Sequence, residues 1–130
     1  MKAVPLELPA LMRAQKLQSK AKKAGFDWED AGGAFDALRS ELAELEEAKR
    51  EKDFAAVEDE LGDVLFSAVN VARFLGVDSE EALTKASNKF LRRYLIVEKL
   101  AKERNIDMKA TPIEELDKLW AEAKKSLESN

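Results

Sequence analysis

Four acidic residues in two pairs are the side chains with the clearest potential for chemistry in this sequence. Glu41 and Glu44 form the first pair, and Glu60 and Asp63 form the second. The members of each pair are three residues apart, so on a helix they project from the same face. Carboxylates withdrawn from water must be paired with a cation, protonated or bound to a metal. For the second pair alone, ion pairing with a neighbouring helix and cation binding are equally good interpretations.

Apolar residues at helical spacing carry both acidic pairs. Residues 57–75 are apolar on nearly every face, which predicts a central helix packed on several sides. Its main stripe consists of Val57, Leu61, Val64, Ala68, Val71 and Leu75. An earlier stripe, of Ala31, Phe35, Leu38, Leu42 and Leu45, predicts a helix that begins near Asp30 and carries the first pair.

The short connection between these two helices should bring the acidic pairs together. Only Lys52 and Asp53 separate the two patterns, and Asp53 is a favourable N-cap. So short a link makes the helices antiparallel neighbours, with both pairs near the linked ends. Four converging carboxylates without a cation would repel one another and be driven towards protonation. A divalent cation would resolve that conflict. Within the second pair, we expect Gly62 to serve close helix packing.

The composition restricts the kind of metal and the kind of protein. The chain has no histidine and no cysteine, which removes thiolate nucleophiles, Ser-His-Asp triads and the usual zinc and di-iron ligands. Oxygen ligands suit Mg²⁺, Mn²⁺ or Ca²⁺. The net charge of −4 argues against a nucleic-acid partner. Without disulfides, a signal peptide or an uninterrupted apolar span, the prediction is a cytoplasmic protein with no membrane association.

The rest of the chain completes an all-α pattern. Residues 1–8 are predicted to be an N-terminal tail or linker, and residues 9–127 a single helical domain. Pro9 and Gly25 delimit the first helix. A long helix follows Asp78 and ends near Asn105, with a predicted buried stripe of Leu83, Ala86, Phe90, Tyr94, Val97 and Ala101. The last helix follows Pro112 and carries Ile113, Leu116, Leu119, Trp120, Ala123 and Leu127.

Two further pairs could contribute to a site. Lys89 and Arg93 are one helical turn apart and could bind phosphate, balance the acidic hairpin or face water. Trp120 and Lys124 have the same spacing, which places a flat ring beside a cation. Core packing is the ordinary role of such a tryptophan.

Taken in order, several segments resemble the MazG family of nucleoside triphosphate pyrophosphohydrolases. They are Leu-Pro-Ala-Leu-Met-Arg-Ala-Gln-Lys-Leu-Gln near the start, Gly25-Phe26-Asp27-Trp28, Glu41-Leu-Ala-Glu44, Glu60-Leu-Gly-Asp63-Val-Leu-Phe, Ala-Arg-Phe-Leu-Gly, Lys89-Phe-Leu-Arg-Arg93 and Leu-Asp-Lys-Leu-Trp120-Ala-Glu-Ala-Lys124. The resemblance extends from about residue 5 to residue 125.

The resemblance implies a fold, a reaction and a set of residue roles. The fold would be an all-α helical bundle completed by pairing with a second subunit, as a homodimer or higher oligomer. The reaction would be cleavage of a nucleoside triphosphate to the monophosphate and pyrophosphate with Mg²⁺, for which Mn²⁺ could substitute. The positions that match metal ligands are Glu41, Glu44, Glu60 and Asp63. Lys89 and Arg93 match phosphate-contacting positions, and Trp120 and Lys124 match nucleotide-contacting positions.

Three departures from the family pattern leave alternatives open. Ser40 stands where the family commonly has a glutamate, and Ser87 where an asparagine is common. The chain also carries one copy of a domain that many members carry twice, and it is most similar to the second copy. A weakly active or inactive nucleotide-binding dimer that acts as a sensor is therefore the alternative function. A scaffold held by interhelical ion pairs is the third possibility.

Overall fold

The computed structural model describes residues 3–128, which are organised almost entirely as helices. No strand occurs among these residues, so the all-α prediction is confirmed. The helices are α1 (Ala10–Lys23), α2 (Ala31–Glu51), α3 (Phe54–Phe74), α4 (Ser79–Glu103) and α5 (Ile113–Glu128), with a 3₁₀ turn at Met108–Ala110. In the described part of the chain, no helix is long and apolar enough to cross a bilayer.

Local chemistry sets most of the helix ends. Gly25 and Gly76 follow α1 and α3 with φ values of 93° and 72°, which is left-handed backbone that glycine adopts without steric cost. Asn105 takes the same region after α4, with φ of 54°. At the other ends, the side chain of Asp30 accepts a hydrogen bond from the Gly33 amide, and that of Asp78 from the Glu81 amide. The helix boundaries predicted at these residues are confirmed.

The turn between α2 and α3 is the tightest connection between two long helices. Lys52 is left-handed with φ of 58° and ends α2, and the Asp53 carboxylate then accepts a hydrogen bond of 3.2 Å from the amide of Ala56. Because two residues reverse the chain, α2 and α3 pack closely against each other. This hairpin holds the two acidic pairs at its linked end.

The chain divides into two compact units, and the boundary lies between Ala82 and Leu83 in α4. The first unit contains α1, α2, α3 and the start of α4, and α3 packs against both α2 and α1. Gln15 of α1 holds the start of α4: its Nε2 donates to the Val77 carbonyl, and its Oε1 accepts from the Ser79 amide and hydroxyl. The division of the sequence into a tail and one domain stays a prediction. Of the predicted tail, Val4 is buried, and Met1 and Lys2 lie outside the described residues.

The prediction that α3 is packed on several sides is wrong for part of the helix, because α1 and α2 leave part of its apolar surface exposed within the first unit. Leu61, Leu65 and Phe66 are 46%, 53% and 45% exposed, whereas Val69 and Val71 are buried. The expectation of close packing at Gly62 is also wrong, since a Cβ placed there would meet no atom of the described residues within 4 Å. The helix is apolar on nearly every face, but the other helices of the first unit cover only part of it.

The second unit has its own small core between the end of α4 and α5. Val97, Ala101, Leu119 and Ala123 are buried together, and the two Arg104–Glu122 hydrogen bonds of 2.7 and 2.8 Å join the same helices. The predicted buried stripe of α4 is correct only at this end. Its earlier members, Leu83, Ala86, Phe90 and Tyr94, are exposed.

The Asp53 cap should contribute measurably to stability. Replacing Asp53 by alanine leaves the Ala56 amide without its acceptor at the start of α3. We expect the free energy of unfolding to fall by about 1 kcal/mol, measured by urea denaturation. Asp53→Asn is the control, because asparagine also caps helices well. Equal stability of the alanine and asparagine variants would contradict the role of the cap.

Candidate metal centre and adjoining cavity

The α2–α3 hairpin brings carboxylates of both acidic pairs together. One carboxylate oxygen from each of Glu41, Glu60 and Asp63 lies within 4.8 Å of the others. Glu44 also interacts with this group, since its carboxylate raises the pKa values of Glu41 and Glu60. The acidic cluster therefore consists of Glu41, Glu44, Glu60 and Asp63, contributed by α2 and α3.

The pKa values show the mutual repulsion of the acidic cluster. Burial, followed by interactions with Glu44 and Asp63, raises the pKa of Glu41 from 4.5 to about 7. Burial is also the main cause that raises the pKa of Glu60, and Glu44 adds to it. The neighbouring groups that change the pKa values of Glu41 and Glu60 are themselves carboxylates. The electrostatics thus favour a bound proton or a bound cation over four free anions.

Two oxygens of the acidic cluster are buried and receive no hydrogen bond from any described residue. They are one carboxylate oxygen, Oε2, of Glu41 and the equivalent Oε2 of Glu60. A buried oxygen that has given up water for no donor destabilises the fold, and the cost is higher when the group is charged. An ion pair with lysine or arginine would have supplied such a donor to these atoms. The arrangement therefore favours cation binding over the ion-pair interpretation.

The donor set fits a hard divalent cation. All the candidate ligands are carboxylate oxygens, the ligand type that Mg²⁺ and Mn²⁺ prefer. Three of the residues already converge, and two orphaned oxygens lack any other ligand. Glu41, Glu60 and Asp63, with Glu44 beside them, are the residues that would hold the ion.

A cavity of about 440 Å³ adjoins the acidic cluster within the first unit. Glu41 belongs both to the cluster and to the cavity wall. Aromatic side chains form much of the remaining wall, namely Phe26, Trp28 and Phe66. The volume and the mixture of aromatic and polar walls are those of a small-molecule site. A molecule with an anionic end and a flat end could reach both the cluster and the cavity.

Trp28 is seated on a glycine. A Cβ at Gly33 would lie 3.2 Å from both Cβ and Cε3 of Trp28, so the indole packs directly against the first turn of α2. The Trp28 side chain is still 49% exposed. Trp28 thus packs against Gly33 on one side and also lines the cavity.

The ion pair of Arg73 with Asp27 forms another part of the cavity wall, and the two side chains are 9% and 14% exposed. Arg73 donates hydrogen bonds of 3.0 and 2.6 Å to the two carboxylate oxygens of Asp27, and this pairing lowers the pKa of Asp27. Arg73 also donates from Nε and Nη2 to Oδ1 of Asn70, at 3.1 and 2.6 Å. Its guanidinium carbon lies 4.7 Å from the ring centroid of Phe74. These contacts hold the turn that carries Trp28 against α3 and orient the Asn70 amide.

The remaining residues expected in the site lie in the second unit. Arg93 of α4 lies over the ring of Trp120 of α5, with 5.7 Å between the guanidinium carbon and the ring centroid. Trp120 also packs against Phe90 and the buried core of that unit. Lys89 and Lys124 are exposed. The Trp120 ring therefore packs in part against the core, which is the ordinary role of such a tryptophan, and it also contacts the Arg93 guanidinium.

Sequence reasoning missed the polar residues of the cavity. Gln18 is 6% exposed although it is polar; it ends the opening segment that resembles the MazG family, but the sequence gave it no role. Asn70 and Arg73 stand out in the sequence as interruptions of an apolar run. Arg73 orients the Asn70 amide only because Asp27, which is distant in sequence, holds the guanidinium, and local spacing cannot show that contact.

Comparison with known proteins gives a consistent set of relatives. Residues 33–97 match the MazG nucleotide pyrophosphohydrolase domain. The chain is 44% identical over 117 residues to the nucleoside triphosphate pyrophosphohydrolase/pyrophosphatase MazG of Thermotoga maritima, an alignment that covers 90% of this chain and 45% of that protein. It is 40% identical over 124 residues to the nucleoside triphosphate pyrophosphohydrolase of Escherichia coli K12, covering 94% of this chain and 47% of that protein.

A third relative is the uncharacterised protein YabN of Bacillus subtilis, at 44% identity over 128 residues, which is 95% of this chain and 26% of YabN. The chain thus spans about half the length, or less, of the curated relatives that it matches. The matched domain includes the acidic cluster and the residues of α4 up to Val97. On this evidence the chain belongs to the MazG nucleotide pyrophosphohydrolase family.

Proposed function

We propose that this protein hydrolyses nucleoside triphosphates to the monophosphate and pyrophosphate with the help of a divalent cation. The observation that carries the proposal is the acidic cluster, with its two orphaned oxygens, beside a cavity of about 440 Å³. Membership of the MazG family supports the same reaction, because two relatives bear the name nucleoside triphosphate pyrophosphohydrolase. The cation and the triphosphate would share the acidic side of the cavity.

The proposed metal ligands are the four carboxylates of the acidic cluster, with Mg²⁺ as the ion and Mn²⁺ as a substitute. When bound, such an ion neutralises phosphate charge and makes a water molecule more acidic. The carboxylates fix the position of the ion, and Glu44 is the proposed group that orients or deprotonates the attacking water. The reaction needs no covalent nucleophile, which agrees with a chain that has no cysteine or histidine.

Basic residues would balance the charge that develops on the substrate. We assign Lys89 and Arg93 to phosphate oxygens, where they would stabilise the transition state. Trp120 and Lys124 are assigned to the nucleotide, on the resemblance of their positions to the family pattern. The contact of Arg93 with Trp120 supports a joint role for these two residues.

A homodimer is the proposed assembly. Leu61 and Leu65 of α3 are about half exposed, and so are Leu91 and Leu95 of α4. Exposed apolar side chains grouped along a helix are typical of surfaces that another chain covers. A second copy of the chain would bury these side chains and complete the helical bundle.

The alternative function is nucleotide binding with little or no hydrolysis. Ser40 is the observation that favours it, because this exposed residue precedes Glu41 and provides a hydroxyl in place of a carboxylate. One acidic group fewer at the edge of the acidic cluster would weaken metal binding or water activation.

Product analysis tests the reaction directly. We expect the purified chain, given a panel of nucleoside triphosphates, to release the monophosphate and pyrophosphate with Mg²⁺ and to stop when the ion is chelated. Asp63→Asn, which keeps the size but loses the charge, should reduce turnover by at least about a hundredfold because a metal ligand is lost. Glu58→Gln, an exposed residue of the same hairpin, is the matched control and should keep full activity.

The products and the stability of the variant separate the alternatives. Diphosphate and phosphate would mean that the wrong phosphorus was assigned, whereas tight nucleotide binding without products would favour the sensor. Chelator-treated Asp63→Asn should be at least as stable as wild type, since it relieves repulsion. Marked unfolding of that variant would identify Asp63 as a structural ion-pair partner.

Stability of the metal-free protein should depend on pH through Glu41. The pKa of Glu41 is about 7 in the folded protein and 4.5 ordinarily, so between these values the folded state binds more protons than the unfolded state. The free energy of unfolding in chelator should therefore fall as pH rises from about 4.5 to about 7. Urea denaturation across this range measures the decline. Glu41→Gln should flatten it and Glu58→Gln should not; an equal decline in all three proteins would contradict the assignment.

The assembly can be tested by one charge on the exposed face of α3. Leu65→Asp should convert a dimer to a monomer in analytical ultracentrifugation, because burying an unpaired carboxylate in an apolar interface is costly. Leu6→Asp, at another exposed leucine, is the control and should leave the sedimentation unchanged. A wild-type chain that sediments as a monomer at all concentrations would reject the homodimer.

A further inference from the structure

Gln18 lines the cavity and carries a buried acceptor that no group in the described protein satisfies. Its side chain is 6% exposed and lines the cavity. Its Nε2 donates a hydrogen bond of 2.9 Å to the backbone carbonyl of Phe66, but its Oε1 is buried and has no hydrogen-bond partner in the described residues. Buried amide oxygens are normally paired, so an unpaired one at a cavity wall points to a donor on a ligand.

The orientation of the Gln18 amide is fixed. Reversing it would place Oε1 against the Phe66 carbonyl oxygen and would exchange a hydrogen bond for repulsion between two acceptors. The carbonyl of Gln18 is therefore the group left for a ligand. This constraint comes from α3, whereas Gln18 itself belongs to α1.

Asn70 adds a donor to the same cavity. Its Oδ1 already accepts two hydrogen bonds from Arg73, which leaves its Nδ2 as the free part of the amide. Because Arg73 is itself held by Asp27, the Asn70 amide is oriented as firmly as that of Gln18. The cavity is thus lined by two amides of fixed orientation, those of Gln18 and Asn70, together with aromatic side chains.

A nucleobase has the complementary chemistry. Every base is flat, stacks on aromatic rings and carries an N–H donor next to an acceptor on its pairing edge. Trp28, seated on Gly33, and Phe66 provide aromatic surface, while Glu41 marks the side of the cavity nearest the acidic cluster.

We propose that Oε1 of Gln18 accepts a hydrogen bond from an N–H group of the substrate's base, so that this residue recognises the base. The inference rests on the proposed hydrolysis of nucleoside triphosphates and goes beyond it by naming the group that recognises the base. A site with an unpaired buried acceptor rejects analogues that lack the matching donor, because those analogues leave it unpaired.

The test compares each natural nucleotide with an analogue that lacks the donor. Purine riboside triphosphate replaces ATP, 2-pyrimidinone riboside triphosphate replaces CTP, and N3-methyluridine and N1-methylguanosine triphosphates replace UTP and GTP. For the best natural substrate, we expect wild type to prefer the natural form by about tenfold or more in kcat/KM. In Gln18→Met the preference should fall to within about twofold, through a higher KM for the natural substrate and little change in kcat.

Two variants separate recognition from structure. Gln15→Met removes a glutamine one turn earlier on α1 whose two polar atoms are already engaged by Val77 and Ser79, so it should keep the wild-type preference. In Gln18→Glu, burial and the facing carbonyl oxygen of Phe66 favour the protonated acid, whose O–H replaces the amide donor and whose other oxygen remains an acceptor, so this variant should keep most of the preference. If Gln18 had only a structural role, the glutamate and methionine variants would both lose the preference for the natural nucleotide over the analogue. The glutamate variant keeps this comparison decisive even if the methionine variant folds poorly.

The outcomes also separate this inference from the reaction on which it rests. Hydrolysis with an unchanged preference in Gln18→Met would overturn the role of Gln18 and leave the reaction intact. Absence of pyrophosphate release from wild type would overturn the reaction. In that case, calorimetric affinities for the same nucleotide pairs decide the inference: a preference that is lost only in Gln18→Met supports it, and any other pattern rejects it.

Discussion

Repulsion among the carboxylates of one helical hairpin is the constraint on which the rest of the structure depends. A two-residue turn and the packing of α2 on α3 hold these groups together, and burial together with neighbouring charge raises the pKa of Glu41 to about 7. The hairpin must be held by other interactions, including the Asp53 cap and the apolar contacts of α3 with α1 and α2. A cation that binds only the folded state would reverse the balance, because its binding energy adds to stability.

The features that the sequence predicted well are those with local causes. Asp30, Asp53, Gly25 and Asn105 set helix ends through hydrogen bonds or backbone preferences within a few residues, and all four act as expected. The convergence of the acidic residues was also predictable, because so short a link leaves two long helices little choice but to pack side by side. Spacing and turn length therefore placed the candidate metal centre without knowledge of the fold.

The features that the sequence did not predict depend on distant contacts. Periodicity shows which face of a helix is apolar, but what covers that face depends on the rest of the assembly; hence Leu83 and Phe90 are exposed where burial was expected. The cavity is a stronger example. Gln18 of α1 is oriented by the carbonyl of Phe66 in α3, and Asn70 is oriented by Arg73 of the same helix, which Asp27 holds in turn. The contacts of Gln18 with Phe66 and of Arg73 with Asp27 join different elements.

The first unit contains carboxylates in two opposite environments, one that lowers the pKa and one that raises it. Asp27 receives both of its main hydrogen bonds from Arg73, so the protein supplies the cation and the pKa of Asp27 is lowered. Glu41 and Glu60 are surrounded by acids, retain orphaned oxygens, and have raised pKa values. The protein thus supplies hydrogen-bond donors to both oxygens of Asp27, whereas one oxygen each of Glu41 and Glu60 has no donor among the described residues. This contrast within the first unit is the reason for which the acidic cluster, and not Asp27, is proposed as the cation site.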